Sequence, residues 1–317
     1  MDLATVLEKV TNLAQTKKDV VVKLADIYPT ILDDGSDVGL RLGNKASPKS
    51  LTQVGRESYL SKLGIPNALY NKCSAGLKLD LVREFHTNHV KSASDKPMFV
   101  RLINDKIRFM GSGDYGRIDD LDIVKVLSGI KTSLEIKDFE QEDTHFLLRA
   151  LTKDPIEVKG LRPYFPGVQI VNSEVGRSSF KIQLILVEQV CTNGMVSSRF
   201  AKSYARVHRH APGLETLLAN ATGLISKVDE FTEWSRNRLS ALTSISGAEF
   251  LMRIRREHEI PAQVKEKTDE LLPKYSSREG LDHTVLNVLS AFTEAIQIRP
   301  RLERVKLEAF AGDMIAL

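Results

Sequence analysis

The sequence predicts an α+β fold: a helical N-terminal part, a central and mostly antiparallel β-sheet with two hairpins, and a helical C-terminal part. Three observations predict it. Apolar residues recur at three/four spacing near both ends of the chain, they alternate with period two between Ser133 and Arg209, and Asn-containing two-residue turns separate β-rich runs. Strands do not alternate regularly with helices, so a doubly wound parallel sheet is not expected. The 317 residues suit one large domain or two, read as an α+β domain over 1–212 and an all-α region over 213–317 that packs on it or mediates self-association.

Leu3, Val6, Leu7, Val10 and Leu13 make the opening helix amphipathic. Val20–Leu24 reads as a short strand. Gly35, Gly39, Gly43 and Pro48 then mark a loop-rich stretch. Helices are expected over 50–63, from Pro66, and over 77–90. Met98–Ile103 and Lys106–Met110 flank Asn104-Asp105, a hairpin signal. A helix follows over 118–130. Strands are expected at 133–139, 144–151, 167–172, 180–190 and 195–209, the last two forming a second hairpin about Asn193-Gly194. Beyond Pro212, Leu214, Leu218, Ala221, Ile225 and Val228 predict a helix of about 30 residues. Further helices are expected over 247–258, 261–274, 282–298 and 300–311. Their apolar stripes pack either within the chain or against a second copy, so a homo-oligomer is expected.

Composition narrows the function classes. The opening Met1–Val10 has acids and no basic cluster, which argues against a secretory signal. No apolar run approaches the length of a membrane span, so no membrane partner is expected. Cys73 and Cys191 show no zinc or CxxC spacing and read as reduced thiols of a cytosolic protein. A net charge of +4 permits nucleic-acid contact without demanding it.

Candidate chemistry is sparse. Gly111-Ser-Gly-Asp-Tyr-Gly116 spells a dinucleotide fingerprint, with Glu135 where a ribose-binding acid would fall. The preceding Lys106-Ile-Arg-Phe-Met110 alternates charged and apolar residues, unlike a strand buried on both faces. Asp114, Asp119 and Asp120 would repel a pyrophosphate. The alternative is a glycine-rich turn before a helix that Asp119 caps. His86 with His89, and His208 with His210, form pairs that a metal would use only if the fold joined them. Asp119, Asp120 and Asp122, and Glu140, Glu142 and Asp143, suit magnesium or ordinary solvation. There is no GxSxG elbow. Cys191 and the later histidines lie at opposite ends of the expected strand, too far apart for a dyad. No cofactor is expected, no catalytic or metal residue is assigned, and an enzyme is the less favoured reading.

The most suggestive feature is Val196–His210. Its even positions include Phe200, Lys202, Tyr204, Arg206 and His208, so an unbroken strand would carry rings and cations in alternation on one face. Rings stack on bases while cations hold phosphates. Over 161–210 there are seven Lys or Arg residues against Glu174 and Glu188 as the two acids, a local basic excess. The alternative packs Phe200 and Tyr204 under a helix, with the cations snorkelling to water. The expected nucleic-acid-binding residues are Arg177, Arg199, Phe200, Lys202, Tyr204, Arg206 and His208.

Val171-Asn-Ser-Glu174, Gly176 and Cys191-Thr-Asn-Gly-Met195 resemble the signature of a phage- and plasmid-borne family of unknown function. Arg101-Leu-Ile-Asn-Asp-Lys-Ile-Arg-Phe-Met110, running on to Asp114-Tyr115-Gly-Arg-Ile118-Asp119, is similar to that family's arginine-rich hairpin and following tyrosine. The likeness spans roughly 50–215 and departs from the family at the Gly111 triad. It implies a mobile-element setting and a prokaryotic cytoplasm, and supplies no reaction. The resulting expectation is a DNA-associated, single-strand-binding or annealing protein. The alternatives are a metal- or nucleotide-dependent enzyme near Gly111–Asp122, and an assembly or host-interaction protein.

Overall fold

The computed structural model of the chain describes residues 2–130, 134–158, 163–188, 194–196, 204–206, 214–275 and 283–315. Helix α1 (Leu3–Gln15) starts at Asp2, whose carboxylate accepts from the Thr5 amide at 2.7 Å. Val6 and Val10, one turn apart, are its buried positions. Strand β1 (Lys17–Lys23) follows. Next, β2 (Ile27–Ile31) and β3 (Val38–Leu42) form an antiparallel ribbon where the sequence reading expected only loop. The glycines do punctuate that stretch, but Ile27, Val38 and Leu40 anchor it in a core.

Helix α2 (Gln53–Leu63) ends at Gly64, whose φ of 74° favours glycine. It lies so close to the neighbouring sheet that a Cβ at Gly55 would overlap the Ile107 carbonyl. Helices α3 (Asn67–Tyr70) and α4 (Ala75–Ala93) precede β4 (Pro97–Ile103) and β5 (Lys106–Ser112). The expected hairpin forms with Asn104 and Asp105 both left-handed, at φ 47° and 64°, as a type I′ turn requires. The three-stranded sheet runs β1-β4-β5. Tyr59, Leu60, Val82, Val100, Ile107 and Met110 share its core with the ribbon.

A second and larger core belongs to α5 (Asp120–Gly129) and an antiparallel sheet of β6 (Glu135–Gln141), β7 (Phe146–Leu151), β8 (Tyr164–Asn172) and β9 (Phe180–Glu188). Two short runs, β10 (Gly194–Val196) and β11 (Tyr204–Arg206), both pair with the outer edge of β9. Period two is visible in the packing. Phe180, Ile182, Leu184 and Leu186 join the main core, whereas Ile185 and Val187 join a smaller cluster on the opposite face.

The C-terminal region is helical: α6 (Leu214–Ile225), α7 (Val228–Leu242), α8 (Ala248–Arg256), α9 (Ala262–Tyr275), α10 (Val285–Ala295) and α11 (Arg301–Ile315). The single helix of about 30 residues is instead two, broken between Ile225 and Val228, and both of those residues are buried. A straight continuation would carry one of the two segments off the core. Helix α10 is buried nearly all round. Val305 and Ala309 of α11 cover the opposite face of the sheet. Among the described residues, Ala221, Ile225, Val228, Phe231, Ile254 and Phe292 bury their side chains in the main core. Among the described residues no helix is long and apolar enough to cross a membrane.

The outer edge of β9 corrects one expectation. Val196 sits opposite Ile185 and Tyr204 opposite Ile182, so residues 197–203 intervene where β9 supplies only Gln183 and Leu184. The expected unbroken strand over 195–209 is therefore two paired runs in different registers. Ile185 and Ile182 lie on opposite faces of β9. Val196 and Tyr204, which an unbroken strand would put on one face, take register positions on different faces.

Candidate functional site

Of the segments that carry the family resemblance, Cys191 to Asn193 lie outside the described residues, and Arg101–Asp119 and Asn172–Glu174 meet in one buried ion network. Glu174, in the turn after β8, is its hub: Lys17 Nζ from β1 lies 2.6 Å from Oε1, and Arg108 Nη1 from β5 donates to Oε2 at 2.9 Å. Arg101 Nη1 from β4 is 3.5 Å from the same oxygen. These side chains are essentially sealed, with Glu174 1% exposed and both arginines 2%. Arg101 also grips Asp19 bidentately, Nε and Nη2 each donating at 2.8 Å, and reaches Asp119 at 2.6 Å. Asp119 was expected to cap α5; its side chain makes no capping hydrogen bond and pairs with Arg101 instead.

The network joins the first sheet to the end of the second. The Asp120 amide donates to Glu174 Oε1 at 3.0 Å. Asn172 Nδ2 donates to Asp120 Oδ1 at 2.8 Å and to the Ile118 carbonyl at 2.9 Å, and Gln141 Nε2 reaches Asp120 Oδ2 at 3.0 Å. Ser173 Oγ donates to the Thr144 carbonyl at 2.6 Å, and Arg108 Nη2 to the Asp143 carbonyl at 3.0 Å. Every residue of Asn172-Ser173-Glu174 is therefore occupied in holding the β6–β7 turn, α5 and the first sheet together.

The charges explain the titration behaviour. Burial pushes the Glu174 carboxyl up, but Lys17, Arg101 and Arg108 outweigh it and hold the carboxyl below its ordinary value. Burial and then the Glu174 charge raise Asp120 to about 7, against the opposing bonds from Asn172 and Gln141. With Asp120 protonated, the buried cations Lys17, Arg101 and Arg108 face three carboxylates, Asp19, Asp119 and Glu174, and the exposed Arg117 adds a further cation beside Asp19. The folded state then binds a proton between pH 3.8 and about 7 that the unfolded chain has released. Stability through this group falls as pH rises across that window. Between pH 5 and 8 the loss is expected to be on the order of 3 kcal/mol. Urea titrations of Asp120→Asn should show a flatter pH dependence there than wild type; identical slopes would refute the assignment. The Glu174 contribution acts lower, being lost as pH falls below the ordinary 4.5.

Two clefts open beside the network. One, of about 360 Å³, is lined by Lys17, Asp19, Arg101, Arg117, Asp119 and Asp122, cations and acids in equal number. The other, of about 610 Å³, has a different chemistry. Ser58, Ser61, Ser112, Ser178 and Ser179 line it with Lys62, Arg177, Tyr115 and the glycines Gly111 and Gly176, and its one acid, Glu57, is paired with Arg177. Tyr115 stacks on Phe99 at a centroid distance of 5.3 Å and meets Phe109 in a tilted contact at 4.8 Å. Of the literal GxGxxG, Gly111 packs against the Phe109 ring and Gly113 against Pro97, where a Cβ would clash. Close packing explains those two glycines without a dinucleotide.

The sequence-predicted residues divide as follows. Arg177 is on the rim of the larger cleft. The backbones of Tyr204 and Arg206 lie opposite Ile182 and Phe180 on β9, and their side chains fall outside the described residues. Arg199, Phe200, Lys202 and His208 lie outside them altogether. Of the histidine pairs, His86 is buried with Nδ1 3.0 Å from the Tyr59 hydroxyl, and His89 Nδ1 is 3.0 Å from the Phe85 carbonyl, so neither shares a ligand set with the other. His210 and Cys191 are likewise outside the described residues. Glu140 and Glu142 gather with His145, a residue the sequence reading passed over. Arg301 lies 2.9 Å from Glu140 there, a charge that opposes a bound cation. The network hub was also missed as such: in the sequence Glu174 is part of a short motif and one of two acids in a basic run. Its signal was one acid in a run otherwise rich in cations.

A family model described as a domain of unknown function, DUF932, matches residues 112–308. No curated protein and no solved structure matches the chain. The match begins at the end of β5, so it includes α5, the Asn172–Glu174 turn and the second sheet. The strands that supply Lys17, Arg101 and Arg108 precede it.

Proposed function

The chain belongs to the DUF932 family, a family of unknown function, and on that premise we propose that it is a nucleic-acid-associated binding protein of a mobile genetic element, acting on single-stranded DNA in a prokaryotic cytoplasm. One observation carries this reading. Arg206 pairs with Phe180, the residue that follows Ser178 and Ser179 of the larger cleft, and Arg177 lies just before them. The described part of the basic and aromatic segment, Tyr204–Arg206, thus pairs with β9 beside Ser178 and Ser179 of a cleft rich in hydroxyls, whose lining also includes Lys62 and Arg177. Hydroxyls and cations suit phosphates, and Phe200 and Tyr204 are the rings assigned to bases. Arg199, Lys202, Arg206 and His208 complete the cationic set.

Self-association along a bound strand is part of the proposal. Ile245, Met252 and Ile298 leave large apolar side chains exposed on the helical layer, which are candidate contacts for it. Light scattering with and without oligonucleotide tests that part.

Binding is expected to weaken steeply with salt. Lys202→Ala/Arg206→Ala should reduce the slope of log K against log salt by about 1.4, two phosphate contacts on a single strand. Fluorescence anisotropy with labelled oligonucleotides reads both quantities. A wild-type chain that binds no oligonucleotide at low salt sinks the proposal.

A further inference from the structure

A third cleft lies outside the family-matched region, between the β2–β3 ribbon and α4. It measures about 450 Å³, and its lining includes Arg41, Arg83, Lys91, Tyr28, Thr87 and His86. None of its lining residues is an acid. Three cations converge on one hollow, and among the described residues none of the three is in an ion pair. This distinguishes it from the other two clefts, where Arg101 and Arg177 are both matched by carboxylates.

The geometry orients these groups. Arg83, Thr87 and Lys91 recur every four residues along α4 and so form one stripe. Arg83 Nε donates to the Pro29 carbonyl at 3.3 Å. That bond leaves the terminal amino edge of its guanidinium for a ligand. Across the hollow, Arg41 and Tyr28 are cross-strand partners, and the Arg41 guanidinium lies 5.9 Å from the Tyr28 ring. Arg41 Nε is buried and makes no hydrogen bond. A charged donor left in that state is costly unless an anion compensates it. His86 forms part of the lining, braced by Tyr59, and burial lowers its pKa, so Arg41, Arg83 and Lys91 carry the positive charge.

We infer that this cleft binds a phosphoryl group, taken by the guanidinium edges of Arg41 and Arg83 with the Lys91 ammonium beside them. Paired arginines match phosphate oxygens in geometry as well as charge. The volume suits a diphosphate or a nucleotide, within the roughly 300–1,000 Å³ usual for small-ligand sites. The phosphoryl group can come from a free ligand or from the 5′ end of a strand.

The test is isothermal titration of the full chain with inorganic pyrophosphate in a phosphate-free, low-salt buffer. Saturable one-to-one binding is expected. Arg83→Gln and Lys91→Gln should each weaken it about tenfold or more, the size expected for a lost charged contact. Both positions are exposed on α4, so these variants should fold. Lys153→Gln, on a distant exposed lysine, should bind as wild type. Absence of saturable binding, or unchanged affinity in both α4 variants, overturns the inference. Oligonucleotides with a 5′-phosphate or a 5′-hydroxyl separate the two sources. A tenfold preference for the phosphorylated end, lost in Lys91→Gln, assigns the site to strand ends. Equal oligonucleotide binding with pyrophosphate binding intact assigns it to a free ligand. A chain that binds pyrophosphate but no oligonucleotide keeps this site and loses the strand-binding proposal.

Discussion

Glu174→Gln is expected to destabilise the chain by about 3–5 kcal/mol, the loss typical of breaking a buried charge cluster from one side. The substitution keeps the side chain's shape and removes one charge. Lys17, Arg101 and Arg108 would then be left largely buried with Asp19 and Asp119 to balance them, and the measurement belongs near pH 5, where Asp120, relieved of the Glu174 charge that raises it, compensates least. The Asp120 amide would keep an acceptor, so the effect reports charge more than hydrogen bonding. Replacing Arg108 and Glu174 together with methionine should cost far less, because removing both partners leaves fewer uncompensated charges. Urea denaturation measures both variants. A loss below about 1 kcal/mol for the single change would mean that water enters the network.

Glu308→Ala should have a comparable effect at the other end of the molecule. Arg149 of β7 donates through Nη2 to both Glu308 oxygens, at 2.8 and 2.6 Å, and through Nε to Gln169 at 2.7 Å. Glu308 is fully buried and Arg149 nearly so. Loss of the carboxylate is expected to cost about 3–5 kcal/mol and to loosen α11, whose Val305 and Ala309 cover the second face of the sheet. Hydrogen exchange should rise first in α11 and along the covered strands. Protection that falls uniformly across the molecule would instead show that α11 does not open as a separate unit.

Local patterns were legible because local physics makes them. The Asn104-Asp105 turn, the α1 stripe and the apolar runs of β7, β8 and β9 depend on neighbours within a few residues. The β2–β3 ribbon was not legible, since Pro29 and Gly39 weaken its strand signal and its support is tertiary: Ile27 and Leu40 pack in the first core and Asp37 pairs with Arg56 and Lys78. The break between α6 and α7 was hidden for a related reason. A three/four stripe runs through Val228 without interruption, and the shape of the core decides where the helix turns. Period two likewise does not carry over from Val196 to Tyr204, because alternation is preserved in sequence even where the paired register slips.

The sequence by itself determined the α+β class, the order of helical and sheet regions, the Asn104-Asp105 hairpin and the charges carried by each segment, whereas the second hairpin sets Gly194 opposite Val187, so Asn193-Gly194 is not its two-residue turn. Tertiary structure alone decided which charges meet. Arg101 and Arg108 read as two cations on a hairpin, Asp119 as a helix cap and Glu174 as one acid in a basic run, yet they meet in one ion network. Arg41 and Arg83, 42 positions apart, face one hollow with no acid in it. The physical reason is range. Propensity and periodicity act over a few residues, whereas charges and burial act through space, and the fold sets those distances.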